Sequence, residues 1–215
     1  MQCRFVRVIF LRVTTSTEPV PGPAPAGRPR ATSKAEITAV ALDLFVRDGF
    51  EETTVDALAA AAGISRRTLF RYFPSKNDIV WGEFSDQVGR LRALFAAAGA
   101  DEPMFDVIRR SIVAFNDYGP GSEPVLRARM SLITTAPALQ GHAMLRHQEW
   151  CDAIAEYVAK RRGLRPTDLV PTAIAQAALG VSTGTYRVWI ADGGDLLELL
   201  DRALRVLGDP PDVEA

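Results

Sequence analysis

Little in this chain speaks for catalysis, export or a bilayer. Its 215 residues include only two cysteines, Cys3 and Cys151, and two histidines, His142 and His147. Thiols so far apart build no disulfide framework, and a reduced, cytoplasmic setting is the simplest reading. His147 and Cys151 stand four apart on one helical face, with His142 five residues earlier. No second cysteine or acidic cluster completes a metal shell around them, so no metal is expected. Serine and histidine occur without a G-x-S-x-G elbow. Gly119 and Gly121 precede neither a phosphate loop nor a dinucleotide-binding unit. Neither an enzyme nor a cofactor is expected. No apolar run nears the roughly 20 residues that cross a bilayer. The opening MQCRFVRVIFLRV interrupts its apolar stretch with arginine and lacks a small-residue cleavage site, which makes it a poor signal peptide. No segment alternates as a strand, and no repeat of useful period is present. The expectation is an all-α protein.

Net charge is only −1, which says nothing about nucleic acid. Its distribution says more. Residues 1–32 carry five arginines against one glutamate, and residues 81–215 carry fourteen basic side chains against eighteen acidic ones. A basic front and an acidic rear suit a protein that sets one end on phosphate and keeps the other away from it.

The most informative stretch is TTVDALAAAAGISRRTLFRYFPSK, Thr53 to Lys76. Gly63 follows the run Ala59 to Ala62 and can take the left-handed conformation that stops a helix without a Cβ penalty. Ser65 is a good N-cap, so a second helix starts at Arg66, and Pro74 makes its continuation costly. Two short helices about a glycine turn form a helix-turn-helix, whose second helix can enter the major groove. On that helix Leu69 and Phe73 share one face, and Arg67 and Arg71 point roughly the other way. Arg67, Thr68 and Arg71 are the candidates for base edges. Ser65, Arg66, Tyr72 and Lys76 complete the basic face. Thr53 and Thr54 open the preceding helix and are candidates for phosphate, together with Tyr72 and Lys76.

These residues resemble the DNA-binding domain of the TetR family of bacterial regulators. The resemblance spans roughly residues 33 to 84 and rests on the TT-V-x-x-L-A run, the A-G-I-S turn, the T-L-F-R-Y-F helix and the following S-K. Phe70 stands where the family commonly has tyrosine and lacks the hydroxyl that could meet a phosphate. Tyr72 stands where histidine is common and keeps a donor. More narrowly, RRTLFRYFPSKNDIVWGEF is similar to the TetR-type regulators found with mycofactocin biosynthesis genes. The family implies a homodimer and a rear domain with an effector pocket; the narrower likeness points to an acyl-coenzyme A or another long apolar molecule.

In chain order, residues 1–32 read as a tail with a proline-rich linker ending in a basic arm, Arg28 and Arg30, suited to the minor groove or to solvent. Residues 33–80 form the three-helix DNA-binding domain. Ser33/Glu36, Thr53/Asp56 and Ser75/Asp78 each have capping-box spacing and mark helix starts. One long helix is expected from about Lys76 to Ala98, with Val80, Phe84, Val88, Leu91 and Phe95 in a stripe, and it is the natural lever between the two ends. Residues 81–208 form an effector-binding and dimerisation domain, and 209–215 a short tail.

Within the rear domain, Phe105, Ile108, Ile112 and Phe115 mark one helix and Met130 the next. Met144, His147, Trp150, Ile154 and Tyr157 lie on a long third helix, and Trp189 on a fourth. Each alone reads as core; as a set, with Gln176 and Arg187 as polar company, they are the candidates to line an apolar ligand cavity. The last two helices combine small residues (172–186) with a stripe of Leu196, Leu199, Leu200, Ala203 and Leu207. That stripe needs a partner surface, in this chain's own core or in a second copy, and the homodimer is the favoured reading. A two-fold dimer would call for a palindromic double-stranded operator. The alternative from another class is a helical ligand-binding or carrier protein without DNA binding, with Phe70 as its one support.

Overall fold

The computed structural model describes residues 33–208, and all regular structure among them is helical. Arg28, Arg30, Cys3 and the tail 209–215 lie outside the described residues. Helix α1 (Lys34–Asp48) opens on a complete capping box: the Glu36 N–H donates to Ser33 Oγ at 3.1 Å, and the Ser33 N–H donates to the Glu36 carboxylate at 2.9 Å. It stops at Gly49, whose φ of 91° only glycine adopts at ease. Helices α2 (Val55–Ala61) and α3 (Arg66–Tyr72) flank the turn at Gly63, and the Ile64 N–H closes that turn on the Ala59 carbonyl at 2.9 Å. Ser65 caps α3 by accepting from the Thr68 N–H at 3.1 Å. The helix-turn-helix expected from the glycine and the caps is present.

Two expectations about this end are corrected. The cap of α2 is Thr54, which accepts from the Ala57 N–H at 3.1 Å; Thr53 is buried, and its hydroxyl donates to the Gly49 carbonyl at 2.6 Å. The helix expected from Lys76 to Ala98 is two helices, α4 (Lys76–Trp81) and α5 (Phe84–Ala97). They part at Gly82, whose φ of 59° breaks the helix. The heptad-like stripe runs through unbroken because α5 restarts nearly in phase, so periodicity alone hides the turn.

Helices α6 (Met104–Phe115), α7 (Glu123–Thr135), α8 (Pro137–Arg162), α9 (Leu169–Asp192) and α10 (Leu196–Gly208) complete the described residues. The 26-residue α8 ends as its composition predicts, with Lys160, Arg161 and Arg162 in the last turn and Gly163 left-handed at φ 66°.

The helices bury two apolar cores. The first joins α1–α4, through Ile37, Phe45, Leu58, Leu69, Phe73 and Val80, to Leu132 and Ile133 of α7 and Leu139 of α8. The second joins α5, α6, α8, α9 and α10 around Leu91, Ile112, Ile154, Val158, Trp189 and Leu200. Phe84 and Met130 touch both. The reading head therefore grips α7 through its own core instead of hanging from one long rod. An ionic knot reinforces the grip: Asp78 of α4 accepts from Arg146 of α8 at 2.9 Å and lies 3.1 Å from His142 Nε2.

The leucine stripe of α10 also differs from the expectation that a second copy would cover it. Leu196, Leu200 and Leu204 are buried in the chain's own second core, with Leu199 and Leu207 packed beside them. An uncovered apolar face runs along α9, where Leu169, Ala173, Ala177, Gly180, Gly184 and Val188 are all exposed.

Candidate nucleic-acid interface and buried cavity

At the reading head, Leu69 and Phe73 are 1% and 2% exposed, so the opposite face of α3 is held outward by burial behind it. Arg66, Arg67, Phe70 and Arg71 are exposed there. Arg66 is partly engaged, 3.4 Å from Asp56 and stacked 5.6 Å over Phe70. Arg71 lies 5.5 Å over the Tyr72 ring. Arg67 has no ion-pair partner among the described residues and projects freely. Ser65 and Thr68 share a hydroxyl–hydroxyl hydrogen bond of 2.9 Å that ties both to the cap. Thr54 is exposed and Tyr72 half-buried at the edges of the same surface.

Two expected phosphate contacts do not fit this surface. Lys76 turns inward: its ammonium donates to the carbonyls of Phe50 at 2.7 Å and Thr53 at 3.3 Å, and sits 4.4 Å over the Phe50 ring. The turn after α1 leaves those carbonyls without helical partners, and a lysine beside them is the nearest cation. Thr53 is excluded by the same turn, its hydroxyl held on Gly49.

Behind the head, the two cores leave a cavity of about 200 Å³ between them. Its apolar walls are Trp81, Phe84, Phe115, Met130, Trp150 and Leu179. Phe84 meets Trp81 and Phe115 edge to face at 5.2 and 5.9 Å, which fixes the ring positions. Polar groups converge on the same space. The Tyr118 hydroxyl donates to Gln87 at 2.9 Å. Tyr186 donates to Asn116, whose amide in turn donates to the Ile112 carbonyl at 2.8 Å. Burial pushes the Tyr186 hydroxyl well above its usual pKa, so it stays a neutral donor. Burial lowers His147, favouring neutral imidazole on the wall.

Of the expected cavity set, Phe115, Met130, His147 and Trp150 line this space, with Arg187 of the expected polar company. The others do not. Ile108, Ile112 and Ile154 are fully packed in the second core. Tyr157 stacks on Phe95 at 4.5 Å, and Trp189 lies under Arg127 and donates to the Gly194 carbonyl at 3.1 Å. Phe105 packs at the chain's far end, against Gly208, and Met144 is 73% exposed. Gln176 is exposed on α9. Among the polar groups of the lining, His147 and Arg187 are expected from the sequence, and Gln87, Tyr118, Arg129 and Tyr186 are not. Gln87 did leave a signal, a glutamine on the inner face of an apolar helix beside Phe84, Val88 and Leu91. Arg129 and Tyr186 left none, since their neighbours in sequence do not mark which way they point. Cys151 is sealed from this chemistry: burial, with Asp152 adjacent, pushes its thiol up to about 11.

Comparison with known proteins agrees at both ends. Residues 37–80 match the family model for bacterial regulatory proteins of the tetR family, and residues 102–211 match the MftR C-terminal domain. The chain is 38% identical over 190 residues to the protein named as the mycofactocin biosynthesis transcriptional regulator MftR of Mycobacterium tuberculosis, covering 88% of this chain and 96% of that one. It is 28% identical over 198 residues to the HTH-type transcriptional regulator TcmR of Streptomyces glaucescens, covering 88% of each. Among solved structures it resembles Thermus thermophilus FadR, a TetR-family repressor in complex with lauroyl-CoA. The TM-score is 0.57 at 22% identity, over 85% of this chain and 96% of that one. These relatives are transcriptional regulators, not enzymes. Among the described residues no helix is long and apolar enough to cross a membrane.

Proposed function

The chain belongs to the TetR family of bacterial regulatory proteins, and from that premise we propose that it is a cytoplasmic DNA-binding repressor whose operator affinity falls when a small apolar effector fills the rear cavity. The observation that carries the reading is α3 itself, with Arg67 and Arg71 outward over buried Leu69 and Phe73. Residues 33–80 read DNA and 81–208 take the effector and a second copy. Arg67 and Arg71 contact base edges, with Thr68 between them; Arg66, Thr54 and Tyr72 flank the phosphates. The exposed apolar face of α9 joins two copies, which sets two reading heads on a palindromic operator.

Release follows from linkage. An effector lowers operator affinity by the ratio of its affinities for the two arrangements of the heads. The geometry supports α7 as the coupling element, because Met130 and Ile133 line the cavity while Leu132 and Ile133 belong to the core of the head. An acyl chain suits the apolar walls, and FadR in its solved complex carries lauroyl-CoA. A gel shift with duplex DNA from upstream of the chain's own gene tests the proposal. Retarded bands that sharpen into one dimer complex are expected. No retardation at low salt, with the fold intact, would favour the ligand-binding protein without DNA binding, for which exposed Phe70 is the one structural support.

A further inference from the structure

We propose that the cavity is built for an acid: a compact monocarboxylate with an apolar body, its carboxylate anchored by Arg129. This rests on the effector cavity of the proposed function and names its ligand class. Arg129 lines the cavity from α7, and its Nε is buried without a hydrogen-bond partner among the described residues. Its guanidinium lies 5.8 Å over the Tyr118 ring and has no carboxylate partner among the described residues. Among the described residues no aspartate or glutamate lines the space, and the other arginine there, Arg187, is exposed at the rim. Ser182 adds a buried hydroxyl on the α9 wall, also without a partner.

A half-buried guanidinium facing a cavity with no anion is costly unless something negative arrives. A carboxylate offers two acceptors to the planar donor fork, and the Ser182 hydroxyl supplies one more donor. The aromatic walls then take the apolar body. A purely apolar molecule would instead bury Arg129 further without compensating it.

The anchor also stands next to the joint with the reading head. A Cβ placed on Gly82 would lie 3.3 Å from Arg129 Nη2 and 3.4 Å from Thr38 Oγ1 of α1, a hydroxyl that is itself buried and unpaired. An anion that draws the guanidinium into the cavity therefore draws it away from the break between α4 and α5.

The test is isothermal titration calorimetry of the full chain with octanoate, 1-octanol and octylamine, which share a body and differ in head-group charge. Octanoate is expected to bind at least about tenfold tighter than octanol, with octylamine weakest, the discrimination an otherwise uncompensated charge supports. Arg129→Gln should erase the preference for the acid, and Arg129→Lys, which keeps the charge without the fork, should retain part of it. Octanol or octylamine binding as tightly as octanoate would overturn the assignment, as would an Arg129→Gln protein, helical by circular dichroism, that still prefers the acid. The gel shift without any probe reads the regulator proposal separately. DNA binding with no acid preference sinks only the anchor, and acid preference with no DNA binding sinks only the regulator.

Discussion

Arginine does opposite work at the two ends of this molecule. In α3, Arg67 and Arg71 are pushed into solvent by Leu69 and Phe73 buried behind them, where water solvates them. In α7, Arg129 is turned toward a cavity with its Nε sealed and unpaired. The first arrangement suits a long polyanion that comes to the surface; the second suits a single charge that must enter. The contrast also separates what each end asks of its core. The head needs a rigid platform, and its core is closed. The rear needs room, and its core is interrupted.

The sharpest way to break that contrast is to remove the platform. Leu69 is 1% exposed in the core of the head. Leu69→Ala should destabilise the protein by about 2–5 kcal/mol and abolish DNA retardation while octanoate still binds. Urea unfolding followed by circular dichroism, with gel shift and calorimetry on the same preparation, checks this. Equal loss of both activities would mean that the two cores, joined through Phe84 and Met130, respond as one unit.

A smaller effect distinguishes outward from inward cations within the head. Arg67→Ala should relax base preference by about 1–3 kcal/mol at one position of the site. Lys76→Gln should do something different in kind. Its ammonium holds the carbonyls of Phe50 and Thr53, so its loss should lower the melting temperature and leave the salt dependence of DNA binding unchanged. Binding measured at several salt concentrations decides it; a flatter slope for Lys76→Gln would return that lysine to the phosphate-contacting set.

How much of this was legible beforehand follows the same division. Helix starts were readable because capping is local: Ser33, Ser65 and Ser75 each accept from the N–H three residues on, whatever the tertiary structure does. The outward arginines were readable because α3 is amphipathic on a single wheel. The break at Gly82 was not, because the stripe resumes in phase across it. Lys76 is not legible either, because a cation on a basic segment looks solvent-facing until the turn that traps it is folded. The cavity was half readable: Phe115 and Trp150 lie on apolar faces, but an empty space is defined by several helices at once, and no one of them shows in its own sequence which inward residues stop short of contact. Arg129 is the extreme case, a charge whose direction depends on α1, the turn at Gly82, Tyr118 after α6 and the α9 wall together.

The smallest predicted effect lies at the seam between the two regions. The Asp78 carboxylate accepts from the hydroxyl of Ser75, the N-cap of its own helix, and from Arg146 of α8, and lies beside His142 of α8. Burial alone would raise its pKa, but the hydrogen bonds from Ser75 and Arg146, with the charge of His142, together hold it below the usual carboxylate value. A carboxylate depressed in the folded state contributes stability that is fully present above its unfolded value and is lost as pH falls through the folded one. The seam should therefore weaken only below about pH 4. The loss should be of the order of 1 kcal/mol or less, a change of about 2–4 °C in melting temperature for a chain of this size. Asp78→Asn should already melt lower at neutral pH, and the gap between it and the native chain should close as pH drops toward 3. If the gap stays constant down to that pH, Asp78 does not gain its stability from ionisation, and the head is held to the rear by the apolar packing of α1 and α4 on α7 and α8.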